Sequence, residues 1–207
     1  MIERITLNCR AALIALCCFW GAATAQNPDI DALQAIHVHR NKTLDKPFYF
    51  LDQSAAPLSV AAPIALSGIG FLMKDTSLVY KSAFIVESMA VSAFITLAMK
   101  HSIKRPRPFE RYPFIEKPFG EFSPSFPSGH TSNIFASATS ISMAFPKWYV
   151  GVPAFIWAGG VGYSRLHSGQ HYPSDVLVGA AVGAGSAWLS AKLNEWIFST
   201  RKHPKDY

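Results

Sequence analysis

Five apolar stretches recur along the chain, at Pro57 to Met73, Ser82 to Met99, Ile134 to Phe145, Tyr149 to Tyr163 and Val176 to Phe198. Runs of this length without strict alternation predict helices rather than strands. Most are separated by short breaks with turn-forming residues, such as KDTSLVYK and FPKW. The exception is a polar interruption from His101 to Ser128, where Lys104, Arg105, Arg107, Arg111 and Lys117 lie among prolines and phenylalanines. Ahead of the first run, Asp29 or Asp31 is placed to cap a short amphipathic helix lying on a surface, with Ile30, Leu33 and Ile36 on one side. In the last run Gly179 and Gly183 have the small-xxx-small spacing that lets helices approach closely in a membrane, or cross tightly in a soluble core.

Composition turns this pattern toward a bilayer without deciding it. Hydrophobic residues make up 50% of the 207 residues and charged ones 15%, yet the mean hydropathy is only +0.18, Glu87 interrupts one run and Ile134 to Phe145 is rich in Ser and Thr. The first 25 residues have a basic start, a short apolar run and small residues at Ala23 and Ala25, the pattern of a cleaved secretory signal peptide. Cys9, Cys17 and Cys18, the only cysteines, all fall inside it, so neither disulfide nor thiolate chemistry is expected of the mature chain. The expected organisation is a signal peptide at 1–25, a surface helix and linker at 26–53, one helical bundle at 54–200 and a basic tail at 201–207.

The net charge of +6 invites an anionic partner. Nucleic acid does not suit an exported chain with no recognisable binding module, whereas phosphate or an anionic lipid head group does. If the helices span, alternating them from an exported N-terminus puts the segments Lys100 to His130 and Ser164 to Asp175 on one outer face, with the tail TRKHPKDY inside as the positive-inside rule prefers. The expectation is a bacterial inner-membrane protein with its site facing the periplasm. If they do not span, it is a soluble periplasmic protein.

Three clusters then meet: KHSIKRPRP from Lys100, PSGH ending at His130, and SRLHSGQHYPSD from Ser164. A phosphoryl group in transfer spreads negative charge over its oxygens and needs fixed cations and N–H donors around it. Lys100, Arg107 and Arg165 supply charge, and arginine adds a planar fork that stays ionised. Gly129 lets the backbone approach a ligand at a helix start whose N–H groups have no partner within the helix. His130 beside it is placed as a general acid. His171 is followed four residues later by Asp175, which could hold the imidazole in one tautomer while its other nitrogen attacks phosphorus. Taken singly, each cluster has a plainer reading: a solvated basic loop, a helix cap with a surface histidine, and an N-terminal turn capped by Ser174 or Asp175. His37, His39, His101, His167 and His203 read as surface or interface residues, with His101 and His167 near enough to support the site. No His or carboxylate set has metal-ligand spacing, the acids Asp29, Asp31, Asp45 and Asp52 being scattered in the N-terminal region.

Jointly, Lys100-x6-Arg107-Pro108, Pro127-Ser128-Gly129-His130 and Ser164-Arg165-x5-His171-x3-Asp175 resemble the signature of the type 2 phosphatidic acid phosphatase and vanadium haloperoxidase superfamily in order and spacing. The resemblance implies an all-α helical bundle with several transmembrane helices. It implies phosphate binding by Lys100, Arg107 and Arg165 with Ser128 and Gly129 assisting, His130 as the acid, His171 as the nucleophile paired with Asp175, and no metal or other cofactor. Arg105 is the alternative to Arg107 if the loop threads differently. The expected function is a membrane phosphatase acting on a lipid phosphate or diphosphate, such as undecaprenyl diphosphate, a lipid A phosphate, phosphatidic acid or phosphatidylglycerophosphate. The rival readings are a soluble exported acid phosphatase for small phosphomonoesters, a vanadate-dependent haloperoxidase, and a lipid-phosphate binder without catalysis. Oligomeric state is not encoded in any of these motifs.

Overall fold

The computed structural model describes residues 27–116 and 123–201, with side chains as far as residue 197. The signal peptide expected over 1–25 and the tail from 202 lie outside them. Among the described residues all regular structure is helical: α1 (Pro28–His37), a 3-10 turn (Lys42–Leu44), α2 (Asp45–Met73), α3 (Thr76–Ile103), the single turn α4 (Pro108–Arg111), α5 (Gly129–Ala144), α6 (Trp148–His167) and α7 (Pro173–Arg201). The chain is all-α, as the apolar runs predict. Their edges are set locally. Lys74 leaves α2 in the left-handed conformation at φ 54, and Asp75 caps α3 by accepting from the N–H groups of Ser77 at 2.9 Å and Leu78 at 3.2 Å. A second left-handed lysine, Lys104, ends α3, and two successive Arg-Pro steps follow that cannot continue a helix.

The centre of the bundle is α5, which packs against α2, α3, α6 and α7. This is the run rich in Ser and Thr, and its composition suits the position. Thr131, Ser132, Ala136, Ser137, Ala138 and Ser140 are buried and small. Several of its hydroxyls are satisfied locally or across one contact. Ser140 and Ser142 donate to carbonyls on their own helix at 3.0 Å and 2.8 Å, and Ser132 meets Thr96 of α3 at 2.8 Å. The glycine spacing on α7 faces this helix. A Cβ on Gly179 would sit 2.8 Å from the Ser128 carbonyl oxygen, and one on Gly183 would collide with the Ser132 carbonyl and lie 2.7 Å from the Ala136 nitrogen.

Three helical segments, Lys42–Met73, Thr76–Arg111 and Pro173–Ile197, are long and apolar enough to cross a bilayer. Large apolar side chains such as Ile64, Phe71, Leu72, Phe94 and Trp196 point outward from them. Within the second segment Glu87, in the middle of its apolar stretch, is met by Asn194 of α7 at 2.7 Å and so is hydrogen-bonded.

Three expectations about the N-terminal region need correction. The first helix does not lie on a surface with Ile36 on its apolar side, because Ile30, Leu33 and His37 are its buried residues. Ile30 and Leu33 pack with Ile115 and Tyr172, flanked by Phe109, Tyr112 and Leu166. Neither Asp29 nor Asp31 is its N-cap, which is Asn27. The boundary drawn at 53 and 54 falls inside α2, which starts at Asp45.

The Gly183 contact predicts a stability effect. Gly183→Ala should lower the thermal midpoint in detergent, with an overpacking cost of about 1–3 kcal/mol. Gly159→Ala, where an added Cβ meets nothing within 4 Å, should leave it unchanged or raised. Equal midpoints for the two variants would mean that α5 and α7 are not in close backbone contact.

Candidate active site

The C-termini of α3 and α6 and the N-termini of α5 and α7 meet at one end of the bundle, together with the start of α2 and with α1. Asp175 in the first turn of α7 has no exposed surface. Its Oδ1 accepts from Arg105 Nη1 at 2.7 Å, and its Oδ2 accepts from Ser125 Oγ at 2.5 Å and the Tyr172 N–H at 3.0 Å. His171 Nδ1 lies 3.5 Å from that same Oδ2 and 3.4 Å from Ser125 Oγ. The expected His171 and Asp175 pair is therefore present, with a serine hydroxyl set against both partners. With Nδ1 as the donor toward this oxygen pair, the His171 lone pair is on Nε2 at the other side of the ring.

Burial pushes the His171 imidazole down to about 3, the Asp175 carboxylate pulls it back upward, and the Arg165 and Arg107 guanidiniums depress it further. It is neutral near pH 7. The same two arginines are thus close enough for their charge to be felt at the ring.

The other expected residues gather around this pair. The Ser128 N–H donates to the Asp175 carbonyl at 3.0 Å, tying the start of α5 to the first turn of α7. Ser128 Oγ accepts from Thr131 Oγ1 at 2.9 Å and does not cap its own helix, so side-chain capping does not use up the first N–H groups of α5. A Cβ on Gly129 would lie 3.8 Å from Lys100 Cε, so the lysine stem runs along the glycine. His130, half-buried, follows in the same turn. Lys100 Nζ donates to the Pro124 carbonyl. Arg107, only 2% exposed, donates through Nε to the Ser123 carbonyl at 2.8 Å, through Nη2 to Ser123 Oγ at 3.1 Å and through Nη1 to the Gln170 carbonyl at 3.4 Å. Arg165 Nη1 reaches both carboxylate oxygens of Asp52, at 2.9 Å and 2.8 Å.

The two arginines of KRPRP point to different places. Arg107 goes to Ser123 and Gln170, beside His171. Arg105 goes behind Asp175, where Nη1 also donates to Ser174 Oγ at 2.7 Å and Nη2 to Asp29 at 2.7 Å, and its guanidinium lies 3.8 Å over the Tyr172 ring.

Sequence reasoning missed Ser125, Asp29 and Asp52 as parts of this end, and it left His37 and His167 between surface and interface, with His167 near enough to support the site. Both histidines are buried. His37 Nδ1 donates to the His167 carbonyl at 2.8 Å, its Nε2 accepts from the Glu116 N–H at 3.3 Å, and His167 Nε2 is 2.7 Å from Asp45 Oδ1. They join α1, α2 and α6 just beyond Arg165. His101 is exposed and bonds the Leu97 carbonyl of its own helix. The available signal for the acids was charge balance, since buried arginines need carboxylates and Asp52 stands close to an apolar run. Among the described residues no three His, Cys, Asp or Glu side chains are grouped to hold a metal.

A neutral buried imidazole backed by a carboxylate, with guanidiniums beside it and a helix start at hand, is an arrangement able to take up an anion at one end of an all-α bundle. Comparison with known proteins gives it a family: the chain belongs to the PAP2 superfamily, whose model matches residues 82–199. It is 32% identical over 115 residues to a lipid A 1-phosphatase of Rhizobium johnstonii, covering 53% of this chain and 46% of that protein. It is 29% identical over 154 residues to undecaprenyl-diphosphatase BcrC of Bacillus subtilis, covering 71% of this chain and 74% of that one. The fold matches the crystal structure of a transmembrane PAP2-type phosphatidylglycerolphosphate phosphatase from Bacillus subtilis with a TM-score of 0.71 at 22% identity, over 95% of this chain and 98% of that one. The chain spans less than half the length of the lipid A 1-phosphatase. With its three apolar helices, it is a membrane protein.

The state of His171 has a consequence for stability. Folded, the ring binds fewer protons than in the unfolded chain between about 3 and its ordinary 6.5, so stability is lost as pH falls through that window and regained as it rises. The thermal midpoint of the wild type in detergent should fall more steeply below pH 6.5 than that of His171→Asn. Equal slopes would show that the ring is not held neutral by the fold.

Proposed function

We propose that the protein is a phosphatase of membrane lipids, hydrolysing a lipid phosphate or diphosphate through a phosphohistidine on His171, from a site on the periplasmic face of the inner membrane. The observation that carries this reading is the buried neutral His171, held at Nδ1 by Ser125 and Asp175 with the charges of Arg165 and Arg107 nearby. A group that only bound phosphate would gain more from a cationic imidazole, whereas a nucleophile needs the lone pair.

In the first step the Nε2 lone pair forms a bond to phosphorus while the bond from phosphorus to the lipid oxygen, or to the bridging oxygen of a diphosphate, breaks. His130 gives its proton to the departing oxygen. Lys100, Arg107, Arg165 and the first N–H groups of α5 hold the remaining phosphoryl oxygens, whose charge is balanced without water. In the second step His130 takes a proton from water, the water oxygen bonds to phosphorus, and the bond from nitrogen to phosphorus breaks to return neutral His171 and release inorganic phosphate. No metal or other cofactor enters either step.

The lipid part of the proposal is supported by the outward apolar faces of α2, α3 and α7 and by relatives whose names specify lipid A and undecaprenyl diphosphate. The motif side chains meet phosphoryl oxygens, which all these lipids share, so they do not select among them. The leader-like start and the basic tail of the sequence support the periplasmic placement.

The test is phosphate release by detergent-purified protein without added metal, from lipid monophosphates and diphosphates beside a small phosphomonoester. Wild type should favour a lipid. His171→Ala should lose several orders of magnitude in rate, and His130→Ala about 10²–10⁴-fold. Preference for the small ester would replace the lipid reading with that of a general acid phosphatase, and turnover that survives His171→Ala would remove the phosphohistidine.

A further inference from the structure

Arg105, half-buried, has no part in the mechanism above. Arg105 is not part of the motif spacing and does not reach toward Ser123 and Gln170 as Arg107 does. Instead it closes a chain of charges that runs outward from His171: Asp175 Oδ1 accepts from Arg105 Nη1 at 2.7 Å, and Asp29 Oδ2 accepts from Arg105 Nη2 at 2.7 Å. Asp29 also fixes the turn that carries Asp175, because its Oδ1 accepts from the Ser174 N–H at 2.8 Å and its Oδ2 from the Ser174 hydroxyl. The guanidinium is stacked 3.8 Å over the Tyr172 ring, and Tyr172 itself is 2% exposed in the cluster with Ile30 and Leu33. Both terminal nitrogens of the Arg105 guanidinium are therefore held, Nη2 by α1 and Nη1 by α7.

We infer that Arg105 is a positioning residue for the reaction proposed above: anchored by Asp29 of α1, it compensates the Asp175 carboxylate and fixes the oxygen that faces His171. An ionised carboxylate with no exposed surface needs a buried counter-charge, or it takes up a proton and ceases to act as an acceptor. His171 cannot be that counter-charge while it is neutral. Arg107 donates to Ser123 and Gln170, and Arg165 donates to Asp52. Arg105 is the guanidinium bonded to Asp175, and by occupying Oδ1 it leaves Oδ2 to Ser125, the Tyr172 N–H and His171. Asp29 then decides where the guanidinium stands, which makes α1, outside the region matched by the family model, a working part of the site.

This inference rests on the proposed function for its catalytic consequence, but its physical content has a readout that does not need turnover. The charged and titratable groups around the pair are Arg105 and Arg107 from the α3–α5 connection, Arg165 from α6, Asp29 from α1 reached through Arg105, and Tyr172 under the Arg105 guanidinium. The experiment follows the His171 ring by NMR in detergent across pH for wild type, Arg105→Gln and Arg105→Lys, and measures kcat and KM for lipid phosphate hydrolysis on the same samples plus Asp29→Asn and the Asp29→Asn, Arg105→Gln double variant.

Without the cation the coupled Asp175 and His171 pair takes up a proton more readily, whichever partner holds it, so Arg105→Gln should raise the titration midpoint reported by the His171 ring by about one pH unit. It should also lower kcat about tenfold or more with KM nearly unchanged, and Arg105→Lys should restore part of both. Asp29→Asn should lower kcat less, and the double variant should be no worse than Arg105→Gln alone, because Asp29 acts through Arg105. An unmoved His171 midpoint in folded Arg105→Gln overturns the inference, as does a loss confined to KM, which would make Arg105 a substrate-binding residue. Additive losses in the double variant overturn the role of Asp29. A shifted midpoint in a protein that releases no phosphate would support the inference while sinking the proposed function.

Discussion

A carboxylate sealed from water is stable as an anion only if every lone pair it presents is met, and the site end of this bundle is arranged around one such group. Asp175 takes a guanidinium from the α3 connection, a hydroxyl from the segment before α5 and the N–H of Tyr172, while its carbonyl receives the Ser128 N–H. Chain segments far apart in sequence thus converge on one residue in the first turn of α7. Moving any of them moves the oxygen that orients His171. The neutral imidazole follows from the same sealing, because burial outweighs the pull of the carboxylate.

Close helix packing is what lets these groups meet. Gly179 and Gly183 bring α7 against the backbone of α5 at Ser128 and Ser132, so the two helix starts that carry Asp175 and Ser128 lie side by side. The small, hydroxyl-rich face of α5 serves the same end. Larger side chains there would separate α3 from α7 and carry Lys100 away from Gly129. In this sense the membrane-style packing rule and the chemistry of the site are one constraint seen at two depths of the bundle.

The helices were legible in the sequence because apolar runs of their length have few other solutions, and the three motifs because phosphate chemistry demands cations, a flexible backbone and oriented imidazoles in close register. The support behind them was not. Asp29 and Asp52 read as scattered acids, since their partners Arg105 and Arg165 lie far along the chain and no local spacing connects them. Likewise His37 and His167 read only as surface or interface residues, and it is the fold that decides for the interface by burying both and joining them through one carbonyl. Ser125 sits in a loop of prolines and serines where nothing separates it from its neighbours until Asp175 is placed beside it. Spacing from Lys100 favoured Arg107 over Arg105 in the sequence, but what each does is visible only in space, where Arg107 goes to Ser123 and Gln170 and Arg105 to Asp175 and Asp29.

The central claim is that phosphorus bonds to His171, and the most direct measurement traps that bond. The protein would be mixed with a lipid phosphate labelled at phosphorus, quenched in alkali within the first turnover, digested and mapped. The account predicts base-stable, acid-labile label on the peptide containing His171, more of it in His130→Ala if loss of the base slows hydrolysis more than loss of the acid slows transfer, and none in His171→Ala. Turnover with no label on that peptide, or label on a different residue, would contradict it.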